Sequence, residues 1–453
     1  MTSIVTELRD RVRGRVIGPE DPDYDQARTV TVGGIDRHPA AIARVADTDD
    51  VAAVIAMAQE TGLELAVRCG GHSGAGHSVT EGGIVLDLHD LKATDFDLEA
   101  GTVWAQSGLT AGELTSAAAE RGVAVGFGDT GSVGIGGITL GGGIGYLVRK
   151  LGLTIDSLLG AEVVTADGQV LQVDADSHPD LFWALRGGGG NFGVATRFRY
   201  RLHPMPSFVG GMLLLPATAE TVAGFIAAAE AAPEELSTIA NVMPTPPMPF
   251  VPEEWHGKLA IMGMLAYAGD AEAGERAIAP FRDLAEPIAD MVKPMPYPEM
   301  YPPEEEEYHP LAVANTLFVD RIDLPVAETI MRWLNDSDAA MRVAQLRVLG
   351  GQMARVPADA TAFAHRSRRI LINVAAFYEG PDDRPMRQAW VDGFADALRG
   401  DNHDAYVNFL VDEGEARVHD AYPAATWERL SRVKAKYDPG NLFRLNQNVP
   451  PAA

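Results

Sequence analysis

GFGDTGSVGIGGITLGGGIG, residues 126–145, is half glycine. Glycine admits positive φ and lets another group approach the backbone closely. The run therefore reads as main-chain amides wrapped around an anionic or planar ligand, with a cofactor diphosphate as the candidate. A mobile low-complexity loop is the competing reading. The interleaved Val133, Ile135, Ile138, Leu140 and Ile144 count against it, because a flexible linker carries no such ordered apolar spacing.

Upstream, Asp49 or Asp50 is placed to cap a helix whose Val51, Val54, Ile55 and Ala58 share one face. Leu63, Leu65 and Val67 then alternate as a strand running into Arg68, Cys69, Gly70, Gly71 and His72. Strands are expected at Ile84 to Leu88 and Val163 to Thr165, and a helix near Thr110 with Leu114 on its buried face. Strands alternating with helices predict a layered α+β or α/β unit.

Beyond about Pro204 the glycine-rich turns give way to alanine-rich helical stretches and two proline clusters, MPTPPMPF (243–250) and PMPYPEMYPPEEEE (294–307). Proline removes backbone donors and the acidic run is costly to bury, so both clusters are expected in surface loops outside any sheet. Strands are expected again at Ile370 to Phe377 and Tyr406 to Val411. The shift suggests a second domain over roughly 205 to 415.

A second glycine stretch carries a formal GxGxxG at Gly188, Gly190 and Gly193. A dinucleotide-binding turn of that form must open a helix. Here Val194, Thr196, Phe198, Tyr200 and Leu202 alternate with Ala195, Arg197, Arg199 and Arg201 in the period of a strand, so the Rossmann reading is rejected. With no nicotinamide site in evidence, electrons taken from a substrate are expected to pass to dioxygen.

The chain has 453 residues and a net charge of −26, so a nucleic-acid backbone or an anionic membrane is repelled over most of the surface. The lone cysteine, Cys69, cannot form an internal disulfide. The first residues lack the apolar core of a secretory signal and no stretch is apolar enough for a membrane span, so a soluble cytoplasmic protein is expected, without membrane or nucleic-acid partners.

Four segments, RCGGHSGAGHS (68–78), the glycine run, GGGGNFGV (187–194) and YDPGNLFRLNQNV (437–449), together resemble the berberine bridge enzyme-like group of FAD-linked oxidases, of the vanillyl-alcohol oxidase (PCMH) flavoprotein type. They lie in the family's order and span nearly the whole chain. The resemblance implies an α+β fold: a two-subdomain FAD-binding domain over 1–205 and 415–453, and an α/β substrate domain over 206–414 whose antiparallel sheet covers the flavin. It also implies that His72 bonds covalently to the methyl group on the benzenoid ring of the flavin. Where many relatives place a second, cysteine link this chain has Thr130, which puts it with the singly linked subgroup that includes 6-hydroxy-D-nicotine oxidase.

The same resemblance assigns cofactor contacts to Arg68, Cys69, Gly70, Gly71, Ser73, Gly74, His77 and Ser78 in the first loop. It assigns Thr130, Val133, Gly134, Gly136, Gly137, Leu140, Gly142, Gly143, Gly145 and Tyr146 in and after the glycine run. Asn191, Gly193 and Val194 follow, with Asn446, Gln447 and Asn448 near the end. Cys69 and His77 keep simpler readings, as a small packed residue and a loop histidine. Val133 stands where relatives with valine admit oxygen to the flavin. Ile138 departs from a histidine common there, and Arg347 falls near an acidic residue of plant relatives, which counts against a berberine-type ring closure. Tyr406 and Asn408 match the family's Tyr-x-Asn motif, whose tyrosine serves as catalytic base. An unperturbed phenol titrates near 10, so that role requires a neighbour that stabilises the phenolate. Tyr378 is a further candidate for the substrate pocket, and no metal is expected.

The leading reading is an FAD-dependent oxidase that moves hydride from a small alcohol, amine or phenol-type metabolite to flavin N5 and yields hydrogen peroxide. Two alternatives stay open: an oxygenating flavoenzyme of natural-product tailoring, and a catalytically idle flavin-binding protein.

Overall fold

The computed structural model describes residues 3–301 and 309–453; the acidic run at 304–307 lies outside the described residues. Among the described residues the N-terminal half contains two large sheets and a two-stranded one that pairs Val123–Ala124 with His203–Pro204. The first is four-stranded, in the order Arg15–Ile17, Ala41–Arg44, Ile84–Asp87, Leu65–Arg68, with its last three strands parallel. The helix Thr48–Thr61 covers it with the expected face, Val51, Val54, Ile55 and Ala58 packing on Leu65, Ile84 and Leu86. Its cap is Asp47, whose side chain accepts the Asp50 N–H, rather than Asp49 or Asp50. The buried Asp50 carboxylate is occupied instead by the N–H groups of Arg13, Gly14 and Ala46. Leu63 precedes the strand, which begins at Leu65, and Ala66 is buried along with Leu65 because this parallel strand has both faces covered.

The second sheet has five strands in antiparallel order, Thr94–Asp97, Thr102–Gln106, Val194–Arg201, Leu158–Val164, Val170–Asp174. Val194–Arg201 is thus a central strand, as its alternation predicts, and no helix follows the 188–193 glycines. Thr110 caps the helix Ala111–Ala119 in a reciprocal box with Glu113.

The third large sheet is eight-stranded, and its strands all fall between Val209 and Phe377. The helices Ala219–Ala231, Ala271–Arg282, Leu324–Asp336 and Arg384–Arg399 bury one of its faces. The opposite face turns toward the N-terminal half, where Phe318 and Leu371 pack with Ile144, Leu153 and Tyr406. Arg149 fastens the two halves: its guanidinium donates to the carbonyls of Ala229, Ala232 and Leu236, at the C-terminal end of the helix Ala219–Ala231.

Three further expectations are corrected. Residues 406–411 form a short 3-10 turn, Val407–Phe409, instead of a strand. Met243 and Pro244 end the strand Leu236–Pro244, paired with Ala260 and Leu259, so the first proline cluster starts inside the sheet. The second cluster is no simple surface loop, since Tyr297, Met300 and Tyr301 are buried in the core of the N-terminal half. Their apolar bulk outweighs the proline content around them. Among the described residues no helix is long and apolar enough to cross a membrane.

Candidate cofactor and active site

A cavity of about 380 Å³ opens where five separated stretches of chain meet: 65–78, 128–144, 189–195, 406–410 and 443–447. That size suits a ligand of cofactor class. The first stretch leaves the parallel sheet at Arg68, whose guanidinium is anchored 2.6 Å from the buried Asp87 carboxylate. Gly70 and Gly134 then lie backbone against backbone, and a Cβ on either would strike the other's amide nitrogen. This contact brings the histidine loop onto the glycine run, where the His72 Nε2 and Ser132 Oγ lie 2.8 Å apart. Cys69, His72, Ser73, His77 and Ser78 all line the cavity with Gly70 and Gly71. Burial pushes the Cys69 thiol up to about 12, helped by the Asp87 carboxylate, so it stays protonated and inert. Burial and the nearby Arg37 bring His77 down to about 4, so its imidazole is neutral.

The glycine run splits into two parts with different tasks. Thr130, Val133, Gly134, Gly136, Gly137 and Leu140 line the cavity, the last five around the short helix Ile135–Leu140. The Leu140 carbonyl accepts the N–H groups of Gly187 and Gly189, which draws Gly193 and Val194 into the wall. Gly142, Gly143 and Gly145 stand outside the lining: a Cβ there would run into Phe363, Thr154 or the Phe127 carbonyl. Arg68 and Gly74 are also outside it, and so is Tyr146, which is buried against Tyr301 with its hydroxyl raised by burial and by Asp129. Tyr378 lies away from the cavity, its hydroxyl beside Gly34.

At the C-terminal side Asn446 and Gln447 line the cavity while Asn448 does not. The Asn191 side chain holds this segment, donating to the Gln447 carbonyl and accepting the Val449 N–H. Beneath it the fully buried Lys434 donates to Asp438 and to the carbonyls of Asn191 and Phe443. Sequence reasoning missed this lysine, whose signal was its four-residue spacing from Asp438.

Tyr406, Asn408, Phe409 and Leu410 close the cavity on the side of the large sheet. The Tyr406 Oη is met by the N–H groups of Gly143 at 2.9 Å and Ile144 at 3.2 Å, and by Asn408 Nδ2 at 2.9 Å. From the sheet, Arg347 reaches over the Phe409 ring to Asp129 of the cavity wall and also donates to Gln345, which donates to Asn241. This ion pair spans the two halves of the molecule, and its long sequence separation left no local trace.

The cavity has features that suit a flavin dinucleotide. Ser78 Oγ and Asn446 Oδ1 belong to lining residues and are buried without a protein partner. Gly137 and Gly190 face open space, where a Cβ would occupy room left for a ligand. Polar groups waiting for partners along a mostly apolar wall match a molecule that combines a flat ring system with a phosphate and sugar chain.

Two family descriptions match the chain, "FAD binding domain" over residues 39–174 and "Berberine and berberine like" over residues 405–450. The chain is 30% identical to the uncharacterized FAD-linked oxidoreductase YvdP of Bacillus subtilis, covering 98% of this chain and 99% of that one. It is 29% identical to (R)-6-hydroxynicotine oxidase of Paenarthrobacter nicotinovorans, covering 97% of each. The crystal structure of 6-hydroxy-D-nicotine oxidase from Arthrobacter nicotinovorans superposes with a TM-score of 0.85 at 26% identity, over 97% of this chain and 98% of that one. The BBE-like 1 protein of Physcomitrella patens shares the fold, with a TM-score of 0.88 at 21% identity over 99% of each chain. The chain belongs to the berberine bridge enzyme-like family of FAD-linked oxidoreductases, and FAD is its cofactor.

Proposed function

We propose that the enzyme oxidises a small alcohol, amine or phenol-type metabolite, with dioxygen as electron acceptor and hydrogen peroxide as product. The observation that carries the reading is one cavity wall holding both His72 and the Tyr406–Asn408 pair. Bound FAD would supply the two-electron sink for the hydride removed from the substrate carbon, with dioxygen as the final acceptor. His72 is the residue we assign to its covalent attachment, with the ring steadied by Ser132. Tyr406 takes the proton from the substrate hydroxyl or amine as hydride leaves, so that a C–O or C–N double bond forms. Val133, in the lining, is assigned to oxygen access. The division into 1–205 with 415–453 and 206–414, and a cytoplasmic location, belong to the same proposal.

The test begins with acid precipitation of the purified protein. A yellow pellet is expected from the wild type, and His72→Ala should give a colourless pellet with free FAD. Stoichiometric peroxide per turnover supports simple oxidation, whereas labelled dioxygen in the product would assign the enzyme to oxygenation instead. Full flavin reduction by substrate in Tyr406→Phe would remove Tyr406 from the base role.

A further inference from the structure

Tyr406 is 1% exposed and its ring is enclosed by Ile144, Leu153, Phe318, Phe363 and Leu371. Three N–H donors converge on its oxygen. A neutral phenol carries a proton of its own and offers limited acceptor capacity, whereas a phenolate oxygen accepts three donors without conflict. The donor set is complementary to the anion.

The backbone is shaped for this arrangement. Gly142 and Gly143 have φ of +131° and +82°, values that side-chain-bearing residues rarely adopt, and this path turns the consecutive N–H groups of Gly143 and Ile144 toward one oxygen. Consecutive amides aimed at one point form an anion-binding nest. Asn408 completes it, with Nδ2 shared between Tyr406 Oη and the Ile138 carbonyl at 3.1 Å. A Cβ at Gly141 would fall on the Asn408 side chain, so glycine there is a condition of the contact.

We propose that Gly143, Ile144 and Asn408 form an anion hole that holds Tyr406 as a phenolate, which makes the later part of the glycine run a device for the base rather than for the cofactor. The proposal rests on the reading of Tyr406 as the catalytic base, and Asn408 acts in it as a positioning residue. Burial is the largest influence and raises the hydroxyl above its ordinary value on balance, while Asn408, the two amides and the Arg347 guanidinium pull it down. What favours the anion is the geometry, three donors converging on one oxygen. Arg347 is the charged group facing the site from the sheet, and its own partner is Asp129. Behind Phe363 stand His365 with Asp404, and Arg366 with Asp156. The remaining neighbours in the cluster are apolar.

The test is a pH titration of flavin-loaded protein carrying tyrosine labelled at Cζ, with the Tyr406 resonance assigned by its loss in Tyr406→Phe. The resonance should titrate below the ordinary phenol value of about 10. Asn408→Ala should raise the midpoint by about one to two pH units at unchanged flavin content, the effect of removing one hydrogen bond to a charged group. Gly141→Ala, which displaces Asn408 without replacing it, should move the midpoint the same way and guards against a fold defect in the first variant. A Tyr406 that stays neutral until the protein unfolds, or a midpoint indifferent to both substitutions, overturns the anion hole. Failure of the base reading looks different: the titration behaves as described while Tyr406→Phe is reduced by substrate at the wild-type rate.

Discussion

The Arg347 guanidinium donates to the Asp129 carboxylate at 2.7 Å, joining the large sheet to the wall of the cofactor cavity. The two side chains are unequally sheltered, Arg347 at 4% exposure and Asp129 at 23%. That asymmetry sets the cost of breaking the pair from either end, because a charge left in a dry site is far more expensive than one that water can reach.

Asp129→Asn is therefore expected to be the costlier change, by about 3 kcal/mol, since it strands the guanidinium. Arg347→Met leaves a carboxylate that water can hydrate and should cost about 1 kcal/mol. Urea denaturation of both variants checks the order. An Arg347→Met protein less stable than Asp129→Asn would show that packing over Phe409 outweighs the charge.

Two glycines of the same run predict opposite outcomes. Gly137 sits in a helix with nothing near the position of a Cβ, so Gly137→Ala should leave the cofactor-free protein as stable or up to about 1 kcal/mol more so. The added methyl stands in the cavity and should weaken FAD uptake. Gly145→Ala drives a methyl into the Phe127 carbonyl and should fail to give soluble protein. Thermal melts with and without FAD separate the two cases.

The site was partly legible in the sequence because its glycines and its four segment motifs are local signals. The strand Val194–Arg201 announced itself by period, and that was enough to dismiss the GxGxxG match. What escaped reading was tertiary. Tyr406, Val407 and Phe409 have the residue types of a strand, yet the chain turns there because the Tyr406 hydroxyl is captured by amides some 260 residues earlier. Tyr297 and Tyr301 were hidden by the prolines around them, since turn chemistry is visible in composition and the destination of a ring is not. Ion pairs such as Arg347 with Asp129 leave no pattern along the chain.

Lys434→Met should destabilise the protein by about 3–5 kcal/mol, because it leaves the fully buried Asp438 carboxylate without its cation. Asp438 keeps the Leu442 and Phe443 N–H groups, so its loop should persist locally. The larger effect is expected on the Asn191 carbonyl and the segment it supports. Chemical denaturation and flavin content of the purified variant are the measurements; wild-type values of both would remove Lys434 from this role.

Acid should weaken the cofactor-free fold through His77. Its folded value of about 4 lies below the 6.5 of an unfolded chain, so between those limits the unfolded state takes up a proton that the folded state refuses. Stability should decline as pH falls from 6.5 to 4, by at most about 3 kcal/mol, with no further loss from this group below 4. His203, also lowered by burial, contributes in the same direction. Melting temperatures of wild type and His77→Asn across this range should diverge, the variant giving the flatter profile.

The cavity draws its walls from residues as far apart as Leu65 and Gln447. A chain emerging from the ribosome thus has no complete pocket until residues 443–449 have been synthesised and Asn191 has clasped Gln447 and Val449. Flavin loading should consequently wait for that clasp, and a nascent polypeptide arrested short of it is expected to emerge without colour.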